Sequence, residues 1–219
     1  FMQRILDILF SLLAIVILSP LLSLVVLILR FSGEREIFYV QKRIGLFQKE
    51  FGLIKFVTMI KDSPNIGTGE ITIKDDPRVL PMGKILRKSK INELTQLVNI
   101  LKGDMSFVGP RPMTKKTFVH YGPDREMISS IRPGLTGVGS IVFRDEENLL
   151  EERSDPREFY FKEIVPYKIS LEKWYIENRS IYLYFLVILI TAFTIISPTS
   201  EIYRKFFKDL PPLPEALIK

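Results

Sequence analysis

We predict from the sequence an α+β fold, mostly helical, in which a small cytoplasmic domain is attached to a membrane. Three observations lead to this class. Ile5–Phe31 is almost wholly apolar, and a helix of that length, rising about 1.5 Å per residue, could cross a hydrocarbon core of roughly 30 Å. A second apolar run, Ile181–Ser197, lies near the C-terminus. Residues 34–180 between them combine polar loops with short strand patterns and amphipathic helical patterns.

The first apolar run is predicted to be a re-entrant membrane helix, broken in its middle and leaving the membrane on the side where it entered. Ser19 and Pro20 lie near its centre, and an internal proline removes a hydrogen bond and clashes with the preceding turn. Arg4 precedes the run, whereas Arg30 and Arg35 lie at and beyond its end. Because basic residues mark the cytoplasmic side, both ends are predicted to be cytoplasmic. A single span is the alternative, and the main body is cytoplasmic in either arrangement.

The second apolar run is short for a membrane span, which usually needs about 20 residues. Basic residues flank it on both sides, among them Arg179 and Arg204. These charges favour a helix that lies at the membrane interface or packs on the first helix. An ordinary buried core helix is the alternative. The chain is thus divided into a re-entrant helix, a cytoplasmic domain, and an interfacial helix with its tail, at residues 1–33, 34–180 and 181–219.

Composition restricts the chemistry of the protein. A net charge of +6 over 219 residues favours anionic partners such as phosphates or acidic lipid headgroups. Nucleic acid is disfavoured as a partner, because the sequence contains no recognised nucleic-acid-binding motif. The sequence has no cysteine, which excludes disulfides and thiol chemistry, and its single histidine, His120, excludes a site with several histidine ligands. His120 is expected to be an ordinary surface or core residue.

Local patterns predict the short elements of the cytoplasmic domain. Strands are predicted at residues 37–40 and 51–56. Helices are predicted at residues 115–121, 124–131 and 156–178. We also expect a turn at Asp75–Arg78, a flexible loop through Gly134, Gly137 and Gly139, and an extended tail at the C-terminal prolines.

The most informative stretch lies near the middle of the chain. Four apolar residues recur there with the spacing of one helix face, namely Leu94, Leu97, Val98 and Leu101. Ser89 or Asn92 can cap the start of this predicted helix, and Gly103 is well placed to end it. Three cations stand directly ahead of the apolar pattern, namely Arg87, Lys88 and Lys90.

A helix N-terminus beside several cations predicts a phosphate site, because its free N–H groups and the helix dipole both favour anions. Glu93 adds a carboxylate next to this predicted site, and a carboxylate is a candidate ligand for a divalent cation. The alternative is a capped amphipathic helix with a solvated basic flank, since basic runs are usually solvated.

Several motifs follow one another along the chain. The stretch Leu86–Leu94 is followed by Leu101–Pro112, which reads Leu-Lys-Gly-Asp-Met-Ser-Phe-Val-Gly-Pro-Arg-Pro. Other motifs are Gln41–Gly45, Lys55-Phe56 and Arg132–Gly137, together with the Ser19-Pro20 interruption. Together they cover nearly the whole sequence. In this combination the chain resembles the bacterial sugar transferases, which are monotopic polyprenyl-phosphate phosphoglycosyl transferases.

The resemblance implies an enzyme that transfers a sugar phosphate from a nucleotide sugar, usually a uridine diphosphate sugar, to undecaprenyl phosphate with Mg²⁺ as cofactor. The product is a membrane-bound polyprenyl-diphospho-sugar that starts a surface glycan. The resemblance also implies a location at the bacterial inner membrane, with the catalytic domain on the cytoplasmic face. Membrane lipid and other glycan-assembly proteins are the implied partners, and a homodimer is left open.

Site residues are also implied by the resemblance. Arg87 and Arg111 would hold phosphates, and the prolines on both sides of Arg111 stiffen its backbone. Lys55 and Arg144 match the other basic residues of the family's pocket. Glu93 matches the second carboxylate of the family's Asp-Glu pair and would lie beside the metal.

The sequence departs from the family pattern at the first member of that pair. Asn92 occupies the position of the nucleophilic aspartate, and a neutral amide is a poor nucleophile. Other departures accompany it: Thr95 in place of proline, Val57 in place of arginine, Tyr184 in place of aspartate, and Val138-Gly139-Ser140 in place of Trp-Ala-Gln. Several departures together favour a divergent branch, and an engineered Asp-to-Asn change is the alternative. These departures argue against a covalent phospho-sugar intermediate. They bear less on which substrates are used.

The sequence therefore leaves open more than one mechanism of transfer and more than one function. Direct transfer is one, because undecaprenyl phosphate is already an anion and needs no general base. A substitute nucleophile is another, with Glu93 or Asp145 as candidates, although the acidic run 145–147 also reads as solvated surface. A catalytically silent relative that binds nucleotide sugar or lipid phosphate and partners glycan-assembly proteins is an alternative function. A basic protein that merely docks on anionic lipid is a third reading.

Overall fold

The computed structural model describes residues 2–67, 69, 71–73, 75–151, 153–197 and 200–217. The helices of its first half are α1 Met2–Phe31, α2 Pro81–Lys88 and α3 Leu97–Lys102. Those of its second half are α4 Lys115–Phe118, α5 Arg125–Ser129, α6 Val138–Val142, α7 Glu146–Glu151, α8 Pro156–Phe159, α9 Val165–Glu177, α10 Ile181–Ile196 and α11 Tyr203–Phe206. The strands are β1 Phe38–Ile44, β2 Glu50–Phe56, β3 Ser106–Val108 and β4 Gly134–Thr136. One two-stranded sheet contains β1 and β2, and another contains β3 and β4.

These elements confirm the predicted class, α+β and mostly helical. Both predicted strands are present, and β1 is longer than expected, as is common where pairing extends a short apolar pattern. The helices predicted at 115–121 and 124–131 correspond to α4 with a following 3₁₀ segment and to α5. The stretch predicted at 156–178 is helical from α8 through a π-helical segment, Tyr160–Ile164, to α9. The turn at Asp75–Arg78 is also present.

The chain forms two compact units that do not follow its order. The first contains residues up to Lys42 together with Gly52–Met105, and the second contains Arg43–Phe51 together with the residues from Ser106 onward. Each unit is considered by itself below. The predicted division into a membrane helix, a cytoplasmic domain and an interfacial helix concerns attachment to a bilayer and stays a prediction.

In the first unit, α1 is a single helix. It continues through Ser19 and Pro20, so the expectation that helical structure is interrupted there was wrong. The hydroxyl of Ser19 donates to the carbonyl of Val16 at 2.8 Å, a local bond available because the proline cannot donate to the preceding turn. Within the described residues, α1 is the helix that is long and apolar enough to cross a membrane. A bend in it and its path in a bilayer stay predictions.

Both ends of α1 pack on the rest of the first unit. Near the start, the guanidinium of Arg4 donates to the carbonyls of Ile100 and Leu101, at 2.5 and 2.8 Å, at the C-terminal end of α3. A cation suits that position, because helix ends leave carbonyls unpaired and carry partial negative charge. Near the end of α1, Val25 and Leu29 are buried in an apolar cluster with side chains of β2 and α2. The outward residues between these contacts are mostly exposed leucine, isoleucine and valine.

The central stretch differs from the predicted single helix. α2 ends at Lys88 and is followed by Ser89, whose hydroxyl donates to the carbonyl of Ile85 at 2.9 Å, so Ser89 is a C-cap rather than an N-cap. A 3₁₀ helix, Ile91–Gln96, and then α3 follow. The chain changes direction at Lys90, which has a φ of 60°, so that no continuous helix passes this point. Gly103, with a φ of 97°, ends α3 as predicted.

A buried arginine organises the polar loop ahead of α2. The guanidinium of Arg78 donates from Nε to the carboxylate of Asp76 at 2.8 Å. Its two terminal nitrogens donate to the carbonyls of Ser63, Ile66 and Ile71 at 2.8–2.9 Å. The adjacent guanidinium lowers the pKa of Asp76 below its ordinary value. Because the planar guanidinium offers five donors, one side chain can satisfy several loop carbonyls at once. This polar centre therefore ties together carbonyls from three places along the loop.

In the second unit, β3 and β4 are parallel, with Ser106 opposite Gly134 and Val108 opposite Thr136. The predicted flexible loop through Gly134, Gly137 and Gly139 was therefore wrong, because these residues belong to β4 and the start of α6. A Cβ atom on Gly134 would lie 2.1 Å from the backbone nitrogen of Gly109. Glycine here permits two backbones to approach closely.

The α10 helix packs along the second unit through one face and leaves the other exposed. Its buried residues include Tyr184, Val187 and Ile190, whereas Leu189 and Ile196 are mostly exposed. The chain then returns to the same unit, because the hydroxyl of Tyr167 in α9 donates to Pro211 at 2.9 Å and Phe207 in the tail is buried beside Trp174. Residues 211–214 have no regular secondary structure, and the extended conformation expected of this tail stays a prediction. The helix α11 was not predicted. Insertion of α10 into a membrane stays a prediction.

Candidate functional site

The predicted site residues are divided between the two units. Lys55, Arg87, Asn92 and Glu93 lie in the first, on β2, in the last turn of α2 and at the start of the following 3₁₀ helix. Arg111 and Arg144 lie in the second unit, in the loop after β3 and the turn after α6. The site is therefore described as two sets of residues.

The cations of the central stretch lie between the end of one helix and the start of the next helical segment. Arg87 and Lys88 occupy the last turn of α2, where the helix dipole favours cations rather than their ligands. The next helical segment is a short 3₁₀ helix preceded by Lys90, whose side chain makes no capping hydrogen bond in the described structure. An anion site at the start of this 3₁₀ helix therefore stays a prediction. Any phosphate binding by Arg87 must come from its guanidinium.

Asn92 is placed unusually for an amide. Its side chain is only 6% exposed, and its Oδ1 atom is buried with no hydrogen-bond partner among the described residues. A buried acceptor left without a donor costs about 1–3 kcal/mol, and such atoms commonly mark binding or catalytic sites. The neighbouring Glu93 is partly exposed. Consecutive residues of this turn thus supply a buried amide oxygen and a more accessible carboxylate.

This pair fits only part of a magnesium site. Within the described residues, no three side chains of aspartate, glutamate, histidine or cysteine lie together in a way that could hold a metal ion. Mg²⁺ is usually held by one or two carboxylates, substrate phosphates and waters rather than by an all-protein cage. The carboxylate of Glu93 and the unpartnered oxygen of Asn92 are compatible with that smaller donor set.

Hydrogen bonds to β2 fix the position of the Asn92–Glu93 turn. The hydroxyl of Thr95 donates to the carbonyl of Ile54 at 2.8 Å, and Oδ1 of Asn99 accepts from the Ile54 N–H at 3.1 Å. Ile54 directly precedes Lys55, so these bonds bring the strand that carries Lys55 beside the helical turn. Thr95 thus has a defined role at a position where the family usually has proline. Asn99 was missed, although a buried amide within an apolar helix pattern is a usable sequence signal.

Arg111 is presented by a loop whose backbone is tied to α9. Its side chain is exposed, and its backbone N–H donates to Oε1 of Glu172 at 3.3 Å. Glu172 is 2% exposed, and burial raises the pKa of its carboxyl to about 7. Glu172 was also missed, although it lies at helical spacing between Lys168 and Tyr175 on a buried face.

Arg144 is half-buried and contacts α10. Its guanidinium donates to the hydroxyl of Thr194 at 3.3 Å. The members of the adjacent acidic run 145–147 differ in exposure and in their contacts. Asp145 is exposed, whereas the carboxylate of Glu146 lies 2.6 Å from the buried ammonium of Lys168. The side chain of Glu147 lies outside the described residues. The reading of this run as solvated surface therefore suits Asp145 but was wrong for Glu146.

His120 is exposed and stacks on Phe161, with 4.1 Å between ring centroids. The expectation of an ordinary surface or core residue is confirmed. Tyr184, which stands where the family often has aspartate, is buried in α10 at 1% exposure. No ionised group is therefore supplied at this position of the helix.

The fold and these residues define a class: an α+β protein with an N-terminal helix long and apolar enough to cross a membrane, whose basic residues and one carboxylate suit phosphate chemistry. Residues 1–198 match the family model for bacterial sugar transferases. The chain therefore belongs to the bacterial sugar transferase family, which confirms the resemblance seen in its motifs.

Individual relatives are consistent with this assignment. The chain is 36% identical over 158 residues to the exopolysaccharide production protein ExoY of Sinorhizobium fredii, covering 66% of this chain and 70% of ExoY. It is 32% identical over 202 residues to the UDP-N-acetylgalactosamine-undecaprenyl-phosphate N-acetylgalactosaminephosphotransferase of Aeromonas hydrophila, covering 90% of this chain and 44% of that enzyme. It is 28% identical to the undecaprenyl-phosphate galactose phosphotransferase of Salmonella typhimurium, covering 83% and 38%. The chain thus spans less than half of the length of these two phosphotransferases.

Proposed function

We propose that this protein transfers a sugar 1-phosphate from a nucleotide sugar, with uridine diphosphate as carrier, to undecaprenyl phosphate. The product would be a polyprenyl-diphospho-sugar that starts a surface glycan. Family membership and the names of the relatives support this activity. The structural observation that carries it is the buried, unpartnered oxygen of Asn92 on the same 3₁₀ turn as Glu93, which follows it in the chain.

The reaction needs little covalent chemistry from the protein. A phosphate oxygen of undecaprenyl phosphate attacks the sugar-bearing phosphorus, the bridging P–O bond of the diphosphate breaks, and uridine monophosphate leaves with that electron pair. The attacking oxygen is already anionic, so no general base is required. Arg87 and Arg111 would hold phosphates, with Lys55 and Arg144 as further cations, and charge neutralisation and positioning would supply the rate. Direct transfer is the mechanism proposed here, because Asn92 cannot act as a nucleophile.

Mg²⁺ is part of the proposal as a cofactor. Glu93 would be its protein ligand, with the oxygen of Asn92 as a candidate second ligand. When bound, the ion would neutralise charge that develops on the diphosphate. Glu93 would therefore have a larger effect on the reaction than Asn92, because only Glu93 carries a charge.

The proposed activity predicts a product that can be detected directly. Purified protein supplied with Mg²⁺, undecaprenyl phosphate and a panel of uridine diphosphate sugars should release uridine monophosphate and form a polyprenyl-diphospho-sugar, both measurable by mass spectrometry. Because Asn92 motivates the alternative of a silent relative, nucleotide binding is measured in parallel by calorimetry. Binding without turnover for every sugar would contradict the enzymatic proposal and favour the silent relative.

A re-entrant α1 at the cytoplasmic face of the inner membrane is proposed as the mode of attachment. It is supported by the contacts at both ends of α1, because Arg4 and Leu29 both meet residues of the first unit. A helix whose two ends pack on one body is better suited to one side of a bilayer than to a crossing. A homodimer and contacts with other glycan-assembly proteins stay predictions.

The topology prediction concerns the two flanks of α1. Single cysteines at Gln3 and Gly33, in a chain without natural cysteine, should both resist an impermeant thiol reagent in intact cells. Both should react after the cells are opened, which controls for buried thiols. Basic residues at each flank and the contacts of both ends with one unit are the physical reasons. Labelling of Gln3→Cys from outside would establish a span instead.

A further inference from the structure

The Pro110-Arg111-Pro112 triplet has one backbone donor, because proline has no N–H. That donor, the N–H of Arg111, is directed to Oε1 of Glu172 at 3.3 Å. The second oxygen of the same carboxyl, Oε2, is buried without a hydrogen-bond partner among the described residues. The buried carboxyl of Glu172 thus accepts a hydrogen bond from the backbone of Arg111, the arginine that we propose to bind phosphate.

A second contact from the same face of α9 supports this arrangement. The hydroxyl of Tyr175, almost one turn further along the helix, lies 3.4 Å from the carbonyl of Val108, to which it donates. On the β4 side, the N–H of Gly134 donates to the carbonyl of Pro110 at 2.8 Å. The loop 108–111 is therefore fixed from α9 at both ends and from β4 in between.

This carboxyl is poorly explained by stability alone. The cation of α9 that acts electrostatically on Glu172 is Lys168. Its ammonium lies 2.6 Å from Glu146, so its charge is already paired with another carboxylate. A buried carboxyl with one acceptor bond and one unpartnered oxygen is costly, and an uncharged side chain of similar shape would serve folding better. Groups retained against stability commonly serve a site.

We infer that Glu172 is a positioning residue that holds the backbone of Arg111, and with it the guanidinium, in the orientation that binds a substrate phosphate. This inference rests on the proposed function of Arg111. Glu172 touches no substrate in this arrangement. It acts through the hydrogen bond to Arg111, and α9 provides the rigid support.

Gly139 belongs to the same arrangement. A Cβ atom at this position would lie 2.7 Å from Oε1 of Glu172, so the missing side chain leaves room for the carboxyl. The family typically has alanine here. In this chain the carboxyl of Glu172 occupies the space that a Cβ atom at position 139 would need. Gly139→Ala would displace the end of a flexible side chain rather than a backbone.

The positioning is expected to depend on pH. The charged or titratable groups near Glu172 are Lys168 on α9, Arg111 on the loop and Tyr121 before α5, whereas the adjoining α6 contributes glycines. Burial raises the pKa of Glu172 to about 7 from an ordinary value of 4.5. An ionised carboxylate accepts a stronger hydrogen bond than a neutral one. Arg111 is thus held better as the pH rises through about 7.

Two substitutions test the inference in the full-length protein. Glu172→Gln keeps an oxygen that accepts from the N–H of Arg111 but has no carboxyl that can titrate. Its kcat/KM should stay within about threefold of the wild-type value at alkaline pH and should lack the change near pH 7 that we expect of the wild type. Glu172→Leu keeps the size and removes the acceptor, so kcat/KM should fall by about 10- to 100-fold. Gly139→Ala should resemble Glu172→Leu. Glu177→Gln, an exposed position on the same helix, is the matched control and should match the wild type.

Stability should move in the opposite direction to activity. Because the folded protein keeps the Glu172 proton up to about pH 7 and the unfolded chain loses it near 4.5, the wild type loses stability as pH rises across this window. Glu172→Gln should therefore unfold at a higher urea concentration than the wild type at about pH 8 and show less advantage at about pH 4. A purely structural role predicts that stability and activity fall together, which would overturn the inference.

A readout independent of turnover separates this inference from the proposed function. Hydrogen exchange of the peptide containing Arg111, followed by mass spectrometry, should be faster in Glu172→Leu and unchanged in Glu177→Gln. If the wild type has no turnover but this exchange pattern is observed, the proposed function is wrong. The conclusion that Glu172 positions the backbone of Arg111 then still stands. Wild-type exchange and wild-type kcat/KM in a folded Glu172→Leu protein would refute the inference.

Discussion

Glu93→Gln should lower turnover by about 100- to 1,000-fold, the range expected when a charge-stabilising group is removed from a phosphoryl-transfer site. Asn92→Ala should lower it by no more than about tenfold, because it removes a neutral group worth roughly 1 kcal/mol. The reason for the difference is that Glu93 is the charged member of the pair and the proposed ligand of Mg²⁺. Steady-state release of uridine monophosphate measures both effects, with the exposed Glu126→Gln as the control.

The same pair of residues tests whether transfer is direct. Protein incubated with a nucleotide sugar but without undecaprenyl phosphate should keep its unmodified mass, because Asn92 cannot form a covalent phospho-sugar. A mass increase equal to a sugar phosphate would contradict direct transfer, and its position would identify Glu93 or Asp145 as a replacement nucleophile. Asn92→Asp tests the alternative of an engineered substitution. A large gain in turnover with a trapped adduct would mean that an aspartate had been removed.

Arg111→Lys should lower kcat/KM by about 10- to 100-fold although the charge is conserved. The guanidinium can bind a phosphate through two parallel donors, whereas an ammonium offers a point charge without the planar fork, and one charged hydrogen bond is worth about 1.5–3 kcal/mol. The exposed side chain of Arg111 stands on a loop tied to Glu172, so a lysine cannot recover the geometry by moving its backbone. Initial rates at several nucleotide-sugar concentrations measure the change.

Arg157→Lys is the matched control for this substitution. Arg157 is an exposed residue of α8 in the same unit, and its replacement should leave kcat/KM unchanged. A protein that merely docks on anionic lipid predicts that Arg111→Lys also has no effect, since both side chains carry one positive charge. Equal rates for wild type, Arg111→Lys and Arg157→Lys would therefore remove Arg111 from the proposed site.

The sequence by itself determined the class of the protein, its family and several local elements. The motif from Leu101 to Pro112 and the apolar run of α1 are continuous in the chain, so they can be recognised without knowledge of long-range contacts. The same holds for β1, β2 and the end of α3 at Gly103, because strand alternation and a left-handed glycine are local signals. The identity of Asn92 also follows from the sequence alone, together with the doubt it casts on a covalent mechanism.

The tertiary structure alone decided how these residues are supported. A 3₁₀ helix replaces the start of the predicted central helix, and its Thr95 bonds to β2, a contact 41 residues distant that no local pattern specifies. The glycines at 134 and 139 form an ordered strand and helix start because another backbone and a carboxyl occupy the space beside them. Glu172 reaches Arg111 across 61 residues of sequence. Such partners are fixed by packing and burial, which depend on the whole fold, and sequence periodicity reports only which residues are buried.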